Sequence, residues 1–222
     1  MTVHGSPADV LGEILGEILA TLPVAGTGAV MLGVDGVDGV GKTTVADAMA
    51  DALRVRRRPV VRVGLDDFLR PARQRYARGR SSAEGYFRDS VDVEAFRASV
   101  VAPARAGMPV TPRVFDHRAD GPLVADPVPV DGSTVVVVDG LFLHRPELVA
   151  VWDVSVFLDA PFEVTVARMG GRDGTPTDPG HPANARYVGG QRLYLAECRP
   201  ARLATVVVDL TDLGHPRIVP GE

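Results

Sequence analysis

The chain has 222 residues, 45% of them hydrophobic and 23% charged, enough apolar material for one soluble α/β domain or one domain carrying an inserted lid. Its net charge of −4 excludes the basic field of a generic nucleic-acid binder. No apolar run approaches the roughly 18 residues that span a bilayer, the N-terminus lacks the pattern of a secretory signal, and the single cysteine, Cys198, excludes an internal disulfide or a thiolate metal cluster, so a reducing cytoplasm is the simplest setting.

Ser6, Pro7 and Asp9 read as a helix start, with Ser6 as N-cap and Asp9 reaching back as in a capping box. Val10, Leu11, Ile14, Leu15, Ile18, Leu19 and Leu22 follow at three-and-four spacing, with Glu13 and Glu17 off that stripe. This predicts an amphipathic helix within residues 1–24, packed on a sheet and ending before Pro23. Its acidic polar face argues against a membrane anchor, which anionic lipid would repel.

Residues 29–34 are an apolar run, read as a strand. Directly after it, residues 36–44 read GVDGVGKTT, with Gly36, Gly41, Lys42 and Thr43 at the fixed places of the phosphate-binding pattern G-x-x-x-x-G-K-[ST]. Glycines there let the backbone curl until successive N–H groups and the next helix's N-terminus point at phosphate oxygens. Gly36, Gly39, Val40, Gly41, Lys42, Thr43 and Thr44 are therefore the expected nucleotide-binding residues. Lys42 adds a mobile charge for the terminal phosphates and the Thr43 hydroxyl a ligand for Mg²⁺. Lys42 is the one lysine among 24 basic residues, so a compact ammonium stands where a phosphate needs it. Val45, Ala46, Ala48, Met49, Ala52 and Leu53 continue at helical spacing, and Arg54, Arg56, Arg57 and Arg58 read as its solvated end.

Residues 59–65 form a short β-branched strand ending in Asp66 and Asp67. Ligands gather beyond the carboxyl ends of parallel strands, so these carboxylates are candidates for chemistry, Asp66 first, with a helix cap as the alternative. Residues 68–90 are polar and arginine-rich, read as a flap or helical hairpin over the site, and residues 92–101 resume a helix. The Pro- and Gly-rich residues 107–133 exclude a long regular element and leave room for a short hairpin. The unbroken β-branched run of residues 134–138 is the pattern of a strand buried on both faces, closed by Asp139 in position to serve Mg²⁺. Residues 154–159 and 204–209 supply two more strands. Between them come a helix at 162–169, a Gly/Pro-rich lid loop at 170–184 and a helix at 187–197. Arg168, Arg172 and Arg186 bracket the lid, within residues 168–186, and can bring guanidinium charge to a transferring phosphoryl group. The expected architecture is a P-loop-type parallel five-stranded sheet flanked by helices, one domain over residues 1–222, with mobile lid segments.

With these pieces in order, residues 30–209 resemble the uridine kinase and phosphoribulokinase branch of P-loop kinases. The phosphate loop GVDGVGKTT is similar to that branch's own, and LDDFLRP at 65–71 resembles its short motif whose first Asp is the base for the acceptor hydroxyl, here Asp66. FRDSVDVEAF at 87–96 resembles the segment whose Asp holds the acceptor's ribose hydroxyls, here Asp89. VVVVDGLFLH at 135–144 looks like its third-strand motif, with Asp139 in place of the usual Glu, and RYVGGQRLYLAECRP at 186–200 is similar to the helix after the lid. Phe115 matches an aromatic of the pyrimidine-contacting segment, Asp120 falls where a His is usual, and Arg186 replaces an expected Gln. The resemblance implies ATP-dependent phosphorylation of a hydroxyl with Mg²⁺. Lys42, Asp66, Arg168 and Arg172 are then the catalytic candidates, Asp66, Asp89, Phe115 and Arg186 the substrate contacts, and Thr43 and Asp139 the metal contacts. A nucleoside is the expected acceptor. Alternatives are a nucleoside monophosphate, a sugar, a pantothenate-type compound, or a non-catalytic nucleotide-binding regulatory role. A GTPase switch is disfavoured because, with Lys42 the sole lysine, no Asn-Lys-x-Asp motif exists. No nucleic-acid or membrane partner is expected, and a homo-oligomer is left open.

Overall fold

The structure is a computed structural model that describes residues 7–24 and 26–221. The cap expected at Ser6, with Asp9 reaching back to it, lies outside the described residues and side chains. Helix α1 (Pro7–Ala20) buries Ile14, Leu15, Ile18 and Leu19, the stripe that its spacing predicts. Each such side chain contributes about 1.5–3 kcal/mol on leaving water.

Strand β1 (Val30–Gly36) runs into the phosphate loop and helix α2 (Lys42–Val55). Strand β2 (Val60–Gly64) then leads into one tight turn of 3₁₀ helix, Leu65–Phe68. The flap that follows is two short helices, α3 (Ala72–Arg75) and α4 (Ala83–Asp89), the latter capped by the Ser82 side chain, which accepts the Gly85 N–H at 3.0 Å. Helix α5 (Val93–Phe96) starts on Asp92, whose side chain accepts the Ala95 N–H at 3.0 Å. It passes through a wider π turn (Arg97–Val101) into α6 (Ala102–Arg105), further than the pattern predicts. Pro103 ends the regular ladder because it has no N–H to give Ser99, and the Thr111 N–H takes that carbonyl instead at 2.9 Å.

The irregular excursion holds only the two-residue strands β3 (Phe115–Asp116) and β4 (Gly121–Pro122), paired antiparallel. Strand β5 (Val135–Asp139), strand β6 (Val154–Asp159) and helix α7 (Phe162–Asp173) complete the central layers. Gly170 and Gly171, expected in the lid loop, are the end of α7; the chain leaves the helix only at Gly174, whose φ of 69° closes it. Helices α8 (Ala185–Cys198) and α9 (Pro200–Leu203) lead to strands β7 (Val206–Asp209) and β8 (Arg217–Val219).

The main sheet has six strands in the order β2-β5-β1-β6-β7-β8. Five are parallel, as expected. The sixth, β8, corrects the five-stranded reading: it adds antiparallel to the β7 edge, pairing Val208 with Ile218. Every residue of β1 and β5 is buried. Val135 and Val137 face α1 and α2, whereas Val136 and Val138 face Phe96 and Val100, so the Val run is apolar without alternation because both faces are covered. No helix among the described residues is long and apolar enough to cross a membrane.

Candidate active site

Parallel pairing decides where the chemistry gathers. The registers Val34↔Asp139 and Gly64↔Asp139 bring the carboxyl ends of β1, β5 and β2 to one edge. The phosphate loop, Asp139 and the Asp66 turn, far apart in the chain, therefore line one cavity of about 690 Å³. Its wall includes Gly39, Gly41, Lys42, Thr43, Thr44 and Asp66.

The loop itself explains its glycines. Gly39 has φ 77°, and a Cβ there would lie 2.3 Å from the Thr165 carbonyl oxygen. Gly41, at φ 109°, is the N-cap of α2 and carries no side chain to occupy the helix amides. Lys42 donates its Nζ to the Val37 carbonyl at 2.9 Å, which folds the ammonium back across the loop. This cradle fits a polyphosphate: uncapped amides, a helix N-terminus and one ammonium stand along one loop whose backbone path needs glycine at Gly39 and Gly41.

At the neighbouring corner the Thr43 hydroxyl donates to Asp139 Oδ2 at 2.8 Å. Arg62 holds the other carboxylate oxygen, Oδ1, at 2.9 Å while also donating to the Val137 carbonyl and to Asp47. A hydroxyl and a carboxylate side by side next to the phosphate cradle are oxygen donors of the type Mg²⁺ takes.

Asp66 opens into this cavity. The cleft walls, then the negative charges of Asp38 and Asp139, push its carboxyl up from the ordinary carboxylate value, against the pull of Lys42 and His117. Asp66 also lines a second cavity of about 180 Å³, whose wall carries Tyr76, Tyr86, Tyr187, Phe142, Arg75 and Arg186. Asp67 lines the larger cavity as well and pairs with Arg113 at 3.3 Å.

The other candidates are placed differently. Arg168 and Arg172 both line the larger cavity. Arg168 gives Nη2 to the carbonyls of Leu210 and Thr211, whereas Arg172 is exposed and pairs with Asp173 at 2.7 Å. Arg186 is buried and donates to the flap carbonyls of Arg75, Gly79, Arg80 and Ser82, with its guanidinium over the rings of Tyr76 and Tyr86. It therefore joins α8 to the flap as well as lining the smaller cavity. Asp89 pairs with Arg78 at 2.8 Å, and Phe115 is buried in the β3–β4 hairpin; neither lines either cavity. Asp120 takes the Ala72 N–H and Arg75, which pins the hairpin to the flap.

Two clusters escape sequence reasoning. Asp35, fully buried, accepts the Gly36 N–H at 2.7 Å through Oδ1, while its Oδ2 meets His144 Nδ1 at 2.7 Å and the Tyr194 hydroxyl. His144 Nε2 continues to Ser155 Oγ at 2.9 Å. Asp38, within the loop, is bound by Tyr86 and Gln191. Two acidic residues in an anion-binding stretch are the only signal that could have marked them.

Comparisons with known proteins bear on the family and the fold. Residues 31–182 match the family model described as Phosphoribulokinase / Uridine kinase family. A structure described as a possible uridine kinase from Bacillus stearothermophilus is 26% identical, with a TM-score of 0.70 over 90% of this chain and 97% of that one. A D-glycerate 3-kinase from Cryptococcus neoformans shares the fold at 12% identity, with a TM-score of 0.53 over 96% of this chain and 97% of its own. The phosphoribulokinase from Rhodobacter spheroides does so at 14%, with a TM-score of 0.52 over 86% and 76%. A search of curated protein sequences finds no match.

Proposed function

Because the chain belongs to the phosphoribulokinase and uridine kinase family, whose members are ATP-dependent kinases, we propose that it transfers the γ-phosphoryl group of ATP to a hydroxyl of a small metabolite, a nucleoside by preference, in the cytoplasm. One observation carries this reading: Asp66 lies on the shared wall of the phosphate cavity and the smaller aromatic cavity, where a group must sit to serve both substrates.

Phosphoryl transfer asks little covalent chemistry of a protein, so alignment and charge do most of the work. The amides of residues 39–43 hold the phosphates and Lys42 bridges the β and γ groups. Asp66 orients the acceptor hydroxyl and takes its proton as oxygen bonds to the γ-phosphorus and the bond to the β–γ bridging oxygen breaks. Its raised proton affinity makes it a stronger base than an ordinary carboxylate. Arg172, exposed at the cavity rim, offsets charge there, with Arg168 behind it. Thr43 and Asp139 would hold Mg²⁺, which when bound supplies neutralising charge to the phosphate oxygens. Tyr76, Tyr86 and Tyr187 offer stacking faces for a base or sugar, while Arg75 and Arg186 on the same wall keep an anionic acceptor as the second reading. Asp89 and Phe115 would reach an acceptor only by rearrangement of the flap and hairpin.

The test is ADP release with Mg-ATP against a panel of nucleosides, nucleoside monophosphates, pantothenate and simple sugars, with Lys42→Ala as blank. Turnover above the blank on a nucleoside is expected. Activity only on phosphorylated compounds would transfer the assignment to the anionic reading, and silence throughout would leave a non-catalytic nucleotide-binding role.

A further inference from the structure

Asp38 is a carboxylate inside a loop built to hold anions, and it lines the same cavity as Lys42, Thr43 and Asp66. A negative charge there opposes phosphate, and Asp38 is already close enough to raise the proton affinity of Asp66. Its carboxylate is bound by side chains of the flap and of α8. The Tyr86 hydroxyl of α4 donates to Asp38 Oδ2 at 2.7 Å, and the Gln191 amide of α8 donates to the same oxygen at 3.3 Å. Gln191 Oε1 accepts the Asp38 N–H at 2.6 Å, and its amide is aligned by the Tyr187 carbonyl at 3.0 Å.

The Gln191 contacts join α8 directly to the loop, whereas the Tyr86 contact exists only while the flap is docked on α8. Gly190 makes that docking close: a Cβ there would lie 2.8 Å from both the Ala83 carbonyl oxygen and the Tyr86 ring. Tyr86 is further held edge-on to Phe142 and Tyr187, with ring centroids 5.5 and 5.0 Å away. Burial and the Asp38 charge push its phenol well above the ordinary value, so it stays a proton donor. Tyr86 also lines the smaller cavity, so a single hydrogen bond joins the walls of the two substrate cavities.

We propose that Tyr86 and Gln191 are positioning residues that hold the Asp38 carboxylate off the phosphate site, tying nucleotide affinity to docking of the flap on α8. This rests on the kinase reading above. Losing either tie frees a like charge beside the polyphosphate; removing the charge as well makes the loss harmless. That suppression is what a merely structural role would not produce.

The experiment is calorimetric titration of the full chain with the Mg²⁺ complex of β,γ-imido-ATP, using wild type, Tyr86→Phe, Asp38→Asn and the double variant. Tyr86→Phe removes one oxygen and keeps the ring contacts. It should weaken binding about tenfold or more, as like-charge juxtaposition does, and the double variant should return to within about threefold of Asp38→Asn alone. Gln191→Leu, alone and with Asp38→Asn, should repeat the pattern with Tyr86 intact. Unchanged affinity in both tie variants, or double variants weaker than either single change, would overturn the proposal. Wild type that is folded by circular dichroism yet binds no nucleotide would overturn the kinase reading and this inference with it, whereas wild-type binding without suppression overturns this inference alone.

Discussion

Replacing Asp66 by Asn keeps the size of the side chain and removes its charge and its capacity to take a proton. The phosphate cradle, Lys42 and the Thr43–Asp139 pair are untouched by the change, so nucleotide binding should be nearly preserved while the acceptor hydroxyl loses its base. General-base catalysis is worth about 10²–10⁴-fold. The lower end applies here, because a loose phosphoryl-transfer transition state needs little early deprotonation and Asn still offers an oxygen to orient the hydroxyl. We therefore expect kcat to fall about 10²-fold, equivalent to about 2.7 kcal/mol, with KM for ATP nearly constant. The assay is ADP release on the acceptor found in the panel, measured from acid to neutral pH. Wild-type activity should fall as pH drops through the Asp66 pKa, which lies above the ordinary value of 3.8, and this limb should vanish in the variant. Stability follows the same linkage with its own sign. A carboxyl whose folded pKa is raised has its charged form penalised in the native state. That penalty is absent below its unfolded pKa and grows as pH rises through the folded one. Asp66→Asn should accordingly raise Tm at neutral pH and not at pH 3. A loss of kcat below threefold, or an acid limb that survives the substitution, would refute the assignment.

Three further outcomes follow from the geometry. Gly39→Ala places a Cβ 2.3 Å from the Thr165 carbonyl oxygen at a φ of 77°, so it should abolish measurable nucleotide binding by calorimetry while the fold persists; affinity within threefold of wild type would contradict the cradle. Asp35→Ala strands the His144 ring, the Tyr194 hydroxyl and the Gly36 N–H in a fully buried site. It should cost about 3 kcal/mol or more in urea denaturation, since each buried polar group left without a partner costs about 1–3 kcal/mol, and a cost under about 1 kcal/mol would show that water repairs the gap. Phe96→Ala empties a fully buried position between Phe68, at 5.3 Å edge-on, and Trp152, for about 3–5 kcal/mol of lost stability by the same measurement.

Features whose physics is local are legible in the residues alone. A phosphate loop is nine consecutive residues whose backbone path depends on glycines at set spacing, so residues 36–44 announce it without any partner. The both-faces-buried Val run and the three-and-four stripe of α1 are equally local statements about which side chains avoid water. Parallel pairing then explains why strand-end carboxylates such as Asp66 and Asp139 could be singled out before their convergence was seen. The short, partly exposed β8 carries no such pattern, since an edge strand needs only a neighbour's open hydrogen bonds. The end of α7 is not legible in the residues alone, because Gly170 and Gly171 signal a loop by propensity, while in the fold Gly170 packs against Thr177 and the Thr175 carbonyl and the helix runs on to Asp173.

The wiring between distant segments is legible only in the folded chain. Asp38 and Gln191 are 153 residues apart, Asp35 and Tyr194 159, and Asp35 and His144 109. No periodicity links such partners, because a hydrogen bond between a loop and a helix obeys the three-dimensional approach of two backbones and not the spacing along one. The assignment of Arg186 turns on the same fact. Its charge was legible from the sequence, but the flap carbonyls around it became visible only once α4 and α8 were packed together.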